Sequence, residues 1–246
     1  MQRWGEADDP RRRVLIQALA AGFFSGGLPG PAAFAAGVLG SRPSKLPEGQ
    51  SIYFISGKAT VNGQDANLKT RIGAGDTVET GPDSEIIFVV GSQSMIVRAN
   101  SRLVIESGKK PESPSLFVTG LRLLTGKLLS VSSNQQMRVS TTTATIGIRG
   151  TGFYVEADPA ETYFCTCYGL TEVSAVADPE SRETIVAAHH DRPVYIVAKA
   201  DRGKSIRNAP FKNHTDQELT LIETLVGRTP PFIFLNDSYT APRREY

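Results

Sequence analysis

The chain has 246 residues, and its 40% hydrophobic content suits one globular domain of moderate size with appendages. Its 27 Lys plus Arg nearly balance its 25 Asp plus Glu, and both signs are scattered along the chain. Because binding to nucleic acid or to an anionic membrane surface relies on concentrated positive charge, the sequence favours neither class of partner.

The first 35 residues have the layout of a cleavable signal peptide. An arginine cluster, an apolar stretch softened by Gly and Ser, and a small-residue triplet occupy residues 11–13, 14–28 and 33–35. The pair Arg12-Arg13 before an apolar core resembles the twin-arginine export signal, and a general secretory signal with a basic start is the alternative. We therefore expect an exported, periplasmic protein.

An uncleaved signal segment would instead anchor the protein in the inner membrane, which is the only membrane association that the sequence suggests. The apolar stretch is shorter and richer in Gly than a membrane span, which needs roughly 20 apolar residues. Cleavage after Ala35 would leave residues 36–49 as a linker before the first predicted strand.

Residues 50–198 have the texture of an all-β domain. Short apolar or alternating runs, such as "EIIFVV", "SMIVRA" and "RLVIE", are separated by Gly, Asn, Ser, Asp and Pro. In "TATIGIRG", Ile146 and Ile148 fall on one face of an extended chain and Arg149 falls on the other, which is the period of a half-buried strand. The sequence therefore predicts short strands throughout this region.

A loosely recurring element consists of a glycine that leads into a short strand with alternate apolar residues. It occurs at Gly57, Gly126 and Gly169. Such recurrence is typical of the winding β-turns of a solenoid-like fold. A twisted β-sandwich would give a similar pattern, so both all-β arrangements stay open.

The segment "GIRGTGF" combines three glycines with an arginine between two predicted strands. The glycines permit a sharp turn or a close approach of a neighbouring strand. A phosphate-binding loop is not indicated, because neither a helix nor a Lys-Ser/Thr pair follows.

Together with "GAGDTVETGPDSEIIFVV" and "YGLTEVSA", this segment resembles the FecR domain over roughly residues 50–177. The most specific similarity is to the Arg-Gly-Thr-x-Phe segment of that family. The matching positions in this chain are Gly147, Arg149, Gly150, Thr151 and Phe153.

The resemblance implies an extracytoplasmic β-rich module. The best-known members are membrane regulators of iron-uptake genes, in which a cytoplasmic tail acts on a sigma factor. This chain has a signal-like segment in place of such a tail, and its segment after residue 200 is shorter than the receptor-contacting domain of those regulators. We therefore expect a binding or signalling module for a periplasmic protein, a glycan or a small ligand, without extending sigma-factor regulation to it.

Both cysteines of the chain, Cys165 and Cys167, lie two positions apart on a predicted strand. They share one face of that strand, with Thr166 on the other. Their Cα atoms would be about 6.5 Å apart with nearly parallel Cβ vectors, which would strain a disulfide between them. In an oxidising compartment, the two thiols therefore need to be buried, bridged or bound to a ligand.

All three histidines, His189, His190 and His214, follow the cysteine pair. Thiolates and imidazoles together suit zinc, copper or iron. Cys165 and Cys167, with one of the adjacent His189 and His190 and with His214, are thus a candidate site for a metal or a bound cofactor. Core cysteines with surface histidines, and a redox-active dithiol, are the other two interpretations.

The C-terminal extension, residues 199–246, contains one predicted helix at about residues 216–226. Thr215 and Glu218 are spaced as a capping box, and apolar residues recur at helical spacing after them. Gly227 suits the end of the helix, and two prolines follow it. We expect the apolar face to pack on the β domain, with a partner-binding helix as the alternative.

The motifs favour no established enzyme class. The sequence lacks a Gly-x-Ser-x-Gly elbow, a His-Glu-x-x-His motif and a nucleotide fingerprint. A dithiol oxidoreductase on the cysteine pair is the one enzyme class that stays open. The sequence predicts a non-catalytic module, with a metal-binding, cofactor-binding or redox protein that uses the Cys-x-Cys and His cluster as the alternative.

Overall fold

The computed structural model describes residues 43–110, 113–132, 136–198 and 204–232. The predicted signal segment with Arg12 and Arg13, the first part of the predicted linker and residues 233–246 lie outside the described residues. Within the described ranges, we find no helix whose length and apolarity would allow it to cross a membrane.

The described residues form fourteen strands in one hydrogen-bonded sheet, followed by one helix. The strands are β1 (Ile52–Ser56), β2 (Ala59–Val61), β3 (Gln64–Asp65), β4 (Thr77–Thr80), β5 (Glu85–Val90), β6 (Gln93–Val97), β7 (Arg102–Lys110), β8 (Ser113–Val131), β9 (Gln136–Ser140), β10 (Ala144–Ala157), β11 (Glu161–Ala175), β12 (Arg182–Ala187), β13 (Val194–Val197) and β14 (Ile206–Asn208). The helix is α1 (Asp216–Leu225).

Strand pairing in the described sheet is antiparallel, except that β8 and β9 run parallel. The main path through the sheet is β14-β13-β11-β10-β9-β8-β7-β4-β2-β3, and β1 joins it through β5 and β6 to β8. The predicted all-β class with one short C-terminal helix is confirmed. The sequence left open a solenoid-like fold and a twisted β-sandwich. The largely antiparallel pairing favours the twisted arrangement, in which the sheet folds around a shared core.

Three long strands bend at glycines and so change partners along their length. β8 leaves β7 and joins β10 at Gly126, β10 leaves β9 and joins β8 around Gly150, and β11 joins β12 at Gly169 after pairing with β13. The φ angles of these three glycines are 91°, 60° and 91°. Because positive φ is costly for residues with a Cβ, glycine at these positions allows the sheet to fold over on itself.

Alternate residues of the bent strands enter two hydrophobic cores. Phe153, Val155 and Phe164 pack into the main core, which the folded sheet encloses. Tyr154 and Tyr163 point to the opposite face and pack into a second core together with α1. The period of two along each strand therefore decides which side chains face the helix.

Helix α1 begins and ends at signals that the sequence contains. The Thr215 side chain accepts a hydrogen bond from the Glu218 amide at 3.3 Å, and the Glu218 carboxylate accepts one from the Thr215 amide at 2.9 Å. Gly227 follows the last turn with a φ of 73°. The predicted capping box and the helix at about 216–226 are confirmed, with the helix ending at Leu225.

The apolar face of α1 packs on the sheet, as expected. Leu219, Ile222 and Leu225 are buried in the second core. A buried ion pair also joins the helix to the end of β6, with Arg98 Nη2 2.7 Å from Glu218 Oε1. Arg98 donates a further hydrogen bond to the backbone oxygen of Asn213, just before the helix. The N-terminal end of α1 is thus fixed against the sheet by both apolar and charged groups.

Candidate functional site

Strand β11 places both cysteines on the face that the helix covers. Cys165 and Cys167 are fully buried in the second core, and both thiols are free. Phe164, between two residues of that face, points into the main core. Tyr154 on β10 is the cross-strand partner of Cys165. The strand therefore presents two sulfur atoms side by side beneath α1.

The turn after β12 brings His190 to the cysteines. His190 has a φ of 54°, which is uncommon for a residue with a Cβ, and its amide donates to the backbone oxygen of Cys167 at 2.9 Å. Its Nδ1 atom lies 3.5 Å from Cys165 Sγ. The left-handed backbone conformation thus directs an imidazole at the sulfur pair.

The segment before α1 brings His214 to the same point. His214 Nε2 lies 3.1 Å from His190 Nδ1, and the His214 ring stacks on Tyr154 with centroids 4.5 Å apart. One ligand atom from each of Cys165, Cys167, His190 and His214 lies within 4.8 Å of the others, and all four residues are buried. We call these four residues the Cys/His cluster.

Each imidazole of the cluster has an inner nitrogen, which faces the other residues of the cluster, and an outer nitrogen, which contacts a hydrogen-bond acceptor outside it. His214 Nδ1 donates to the backbone oxygen of Lys212 at 2.8 Å. His190 Nε2 lies 3.0 Å from Asp216 Oδ1 in the first turn of α1. Because a carbonyl and a carboxylate accept hydrogen bonds, both outer nitrogens carry hydrogen, and the inner nitrogen of each neutral ring presents a lone pair to the cluster.

The groups of the cluster perturb one another electrostatically. Burial raises the pKa of the Cys165 thiol, but Cys167, His214 and His190 outweigh burial and hold that pKa well below its usual value. Burial and the adjacent Cys165 raise the pKa of Cys167 well above its usual value. Burial lowers the pKa of His190, but its hydrogen bonds to Asp216 and Cys165 outweigh burial and raise it to about 9. The cluster therefore favours one thiolate beside an imidazolium when no other cation is present.

His189, which the sequence offered as an alternative to His190, lies outside the cluster. Its Nε2 atom is 2.9 Å from Asp216 Oδ2, and its side chain is 35% exposed. His189, His190 and Asp216 form a second group of candidate ligand atoms that shares His190 with the cluster. Of the two adjacent histidines, His190 therefore joins the Cys/His cluster, and His189 lies outside it near the surface.

Aromatic rings separate the Cys/His cluster from solvent. The Phe211 ring centroid lies 4.6 Å from those of His190 and His214. Phe232 covers the outer side, with its centroid 4.8 Å from that of His189. Because such a shell lowers the local dielectric constant, it strengthens electrostatic interactions within the cluster.

The residues of the predicted family motif lie away from the cluster and have structural surroundings. Arg149 Nη2 is 2.9 Å from Glu172 Oε1 on the exposed surface, and Phe153 is fully buried in the main core. Thr151 is also buried, and Gly150 forms the bend in β10. Arg149 and Gly147 border an open cleft of about 410 Å³, which the side chains of Glu106, Gln136 and Arg138 also line.

Three residues of the site were not found by sequence analysis. Asp216 has a local signal as an acidic residue in the first helical turn, but this signal does not reveal its contact with histidines 26 and 27 positions away. Tyr154 and Phe211 carry no signal beyond their hydrophobicity. Their contacts with the imidazoles arise from the docking of separate segments.

The fold and site define a β-rich module with a helix fixed over one face of its sheet. Residues 76–169 of the chain match the model of the FecR protein family. The resemblance seen in the sequence is thereby confirmed, over a shorter range than the predicted residues 50–177. The match includes the family motif and both cysteines, whereas the histidines lie beyond it.

Two crystal structures of a candidate anti-sigma factor from Parabacteroides distasonis are similar to the chain. Their TM-scores are 0.42 and 0.41, and their sequence identities are 13% and 14%. The similarity covers 58% of this chain and 62% of the other chain in each case. No curated protein matches the chain.

Proposed function

We propose that the chain is an exported FecR-domain module that acts in the periplasm by binding, without catalysis. The observation that carries this proposal is the family match over residues 76–169. The signal-peptide layout of residues 1–35 supports export. A twin-arginine route would carry the module across the membrane already folded.

The partner that we favour is another periplasmic protein, which would contact the open cleft beside Arg149. Glu106, Arg138 and Arg149 place charges of both signs around this cleft. Mixed charges of this kind give specificity for a complementary polar surface. The cleft also includes residues of the family motif, so binding there would use the part of the domain that is most specific to the family.

Site-specific photo-crosslinking in the native host tests this proposal. A photoreactive residue is placed in the full chain at Gln136 or Arg138, both exposed at the cleft, and at Leu68 as a control outside the cleft, which is 55% exposed. We expect one defined periplasmic protein to be crosslinked from the cleft positions and not from the control. The same products from all three positions, or a chain found in the cytoplasm, would contradict the proposal.

The structure gives less support to a redox function of the cysteine pair. Thiol–disulfide exchange requires direct contact between an attacking sulfur and a substrate disulfide. Cys165 and Cys167 are fully buried beneath α1 and the aromatic shell. A substrate would therefore have to displace packed side chains of the second core before reaching either sulfur atom.

A further inference from the structure

We propose that the Cys/His cluster is a four-coordinate Zn²⁺ site that fixes α1 to the FecR sheet. The ligands are Cys165 Sγ, Cys167 Sγ, His190 Nδ1 and His214 Nε2. This proposal concerns the second core and is independent of the partner that binds the cleft.

The distances within the cluster are close to those of a tetrahedral zinc site. Zinc bonds of about 2.3 Å to sulfur and about 2.0 Å to nitrogen place two nitrogens about 3.3 Å apart, a nitrogen about 3.5 Å from a sulfur and two sulfurs about 3.8 Å apart. The corresponding distances here are 3.1 Å between His190 and His214 and 3.5 Å between His190 and Cys165. All four ligand atoms lie within 4.8 Å of one another, so any longer pair needs to approach by only about 1 Å, which rotation of a cysteine side chain can supply.

The arrangement around the two imidazoles also points to a cation. Asp216 and the Lys212 carbonyl bind the outer nitrogens of His190 and His214, so the inner nitrogens lie 3.1 Å apart and, whenever both rings are neutral, direct lone pairs at one another. Two facing lone pairs repel unless a proton or a metal ion lies between them. Carboxylates and backbone carbonyls that orient histidines in this way are regular outer partners of zinc ligands.

The donor set selects the class of metal. Thiolates and imidazoles favour zinc or copper over magnesium and calcium, which prefer oxygen ligands. Two sulfurs and two nitrogens form one of the common structural zinc sites, in which all four ligands come from the protein. Burial of all four residues leaves no open position for a substrate, which indicates a structural site.

The site would join three parts of the chain that are distant in sequence. The sulfurs come from β11, His190 from the turn after β12, and His214 from the segment that leads into α1. Zinc bound to all three would hold the start of the helix against the sheet. Since the ligands come together only in the folded chain, zinc binding should stabilise the native state.

Metal titration of the full-length protein tests the proposal. Protein purified from its native periplasm is analysed for metal content, then stripped with a chelator under a non-coordinating reductant and titrated with Zn²⁺ or with Co²⁺ as a spectroscopic probe. We expect one equivalent of zinc per chain, a rise in Tm on adding zinc, and thiolate-to-cobalt charge-transfer bands of a tetrahedral site.

Three variants separate the two overlapping groups of candidate ligands. The double variant Cys165→Ser/Cys167→Ser and the variant His214→Gln should both lose tight zinc binding, and the double variant should also lose the charge-transfer bands. His189→Gln is the matched control, because it alters an adjacent imidazole outside the cluster, and it should retain one equivalent of cobalt with unchanged bands. Circular dichroism of each metal-free variant shows whether loss of binding reflects loss of folding.

Several results would overturn the proposal. Native protein that contains no stoichiometric metal, does not take up zinc after stripping and keeps both thiols buried and reduced would make the cysteines core residues. One equivalent of copper in place of zinc would overturn the choice of metal. Loss of binding in His189→Gln with retention in the cysteine double variant would move the site to His189, His190 and Asp216.

Discussion

Gly150 marks the point at which β10 changes from pairing with β9 to pairing with β8. Its φ of 60° lies in the left-handed region, where a Cβ meets the neighbouring backbone. Gly147, three residues earlier, does not have a positive φ, and a Cβ added there would lie 3.6 Å from its nearest neighbour, Glu172 Cβ. Two glycines of the same motif therefore differ in what they contribute to the fold.

We expect Gly150→Ala to lower the free energy of unfolding by about 1–2 kcal/mol, because alanine must adopt a left-handed conformation there. Gly147→Ala is the matched control and should change stability little or raise it, since it makes an ordinary contact and removes backbone freedom from the unfolded chain. Urea unfolding followed by circular dichroism measures both values. Equal destabilisation by the two substitutions would show that the backbone conformation is not the cause.

At the scale of elements, docking of α1 relies on charged groups that are buried with its apolar face. The Arg98–Glu218 pair is almost completely shielded, with side-chain exposures of 7% and 4%. At the other end of the helix, Tyr168 donates to the Glu223 carboxylate, which also lies 2.6 Å from Arg228 Nε. Because a buried carboxylate without its cation is costly, these pairs constrain where the helix can lie.

The substitution Arg98→Met should destabilise the protein by about 3–5 kcal/mol, because it leaves the Glu218 carboxylate buried without its guanidinium partner. Arg102→Met is the control, since the Arg102–Glu79 pair is 3.4 Å long and solvent-exposed, and its loss should cost less than about 1 kcal/mol. Denaturant unfolding of both variants provides the comparison. Similar small losses in both would mean that the buried pair adds little to helix docking.

At the scale of the whole molecule, the chain combines a signal-like N-terminal segment with a β domain that matches the FecR family and a C-terminal helix. The Cys/His cluster combines two cysteines inside the family match, which ends at residue 169, with two histidines that lie beyond it. Binding of a metal ion there would therefore require that the FecR-like sheet and the C-terminal segment are folded together. Export of a folded, metal-loaded chain is compatible with the twin-arginine route, whereas a general secretory route would require loading after export.

Replacement of Arg12 and Arg13 by lysine should block export if the twin-arginine route is used, because lysine keeps the positive charge but not the paired arginines of the signal. Cell fractionation with detection of precursor and mature chain gives the result. Wild-type protein should appear in the periplasm with an N-terminus near Ala36, and the double variant should stay in the cytoplasm. Unchanged export of the double variant would favour the general secretory route.

The sequence by itself determined the local features of this protein. Alternating apolar residues predicted the β class, the spacing of Thr215 and Glu218 predicted the start of α1, and the two-residue spacing placed Cys165 and Cys167 on one face. These features depend on neighbours within about four residues, where the geometry of strands and helices fixes which side chains meet. The FecR resemblance likewise rests on a short motif and on strand patterns that are visible in the sequence.

Only the tertiary structure decided which residues form the cluster. It selected His190 over His189 through a left-handed backbone conformation, brought His214 to the cysteines by docking α1, and placed Asp216 behind the imidazoles. It also turned three recurring glycines into positions of positive φ, two of them at bends of long strands. These outcomes depend on contacts between segments that are distant in the chain, so burial and packing of the whole domain, rather than local spacing, determine them.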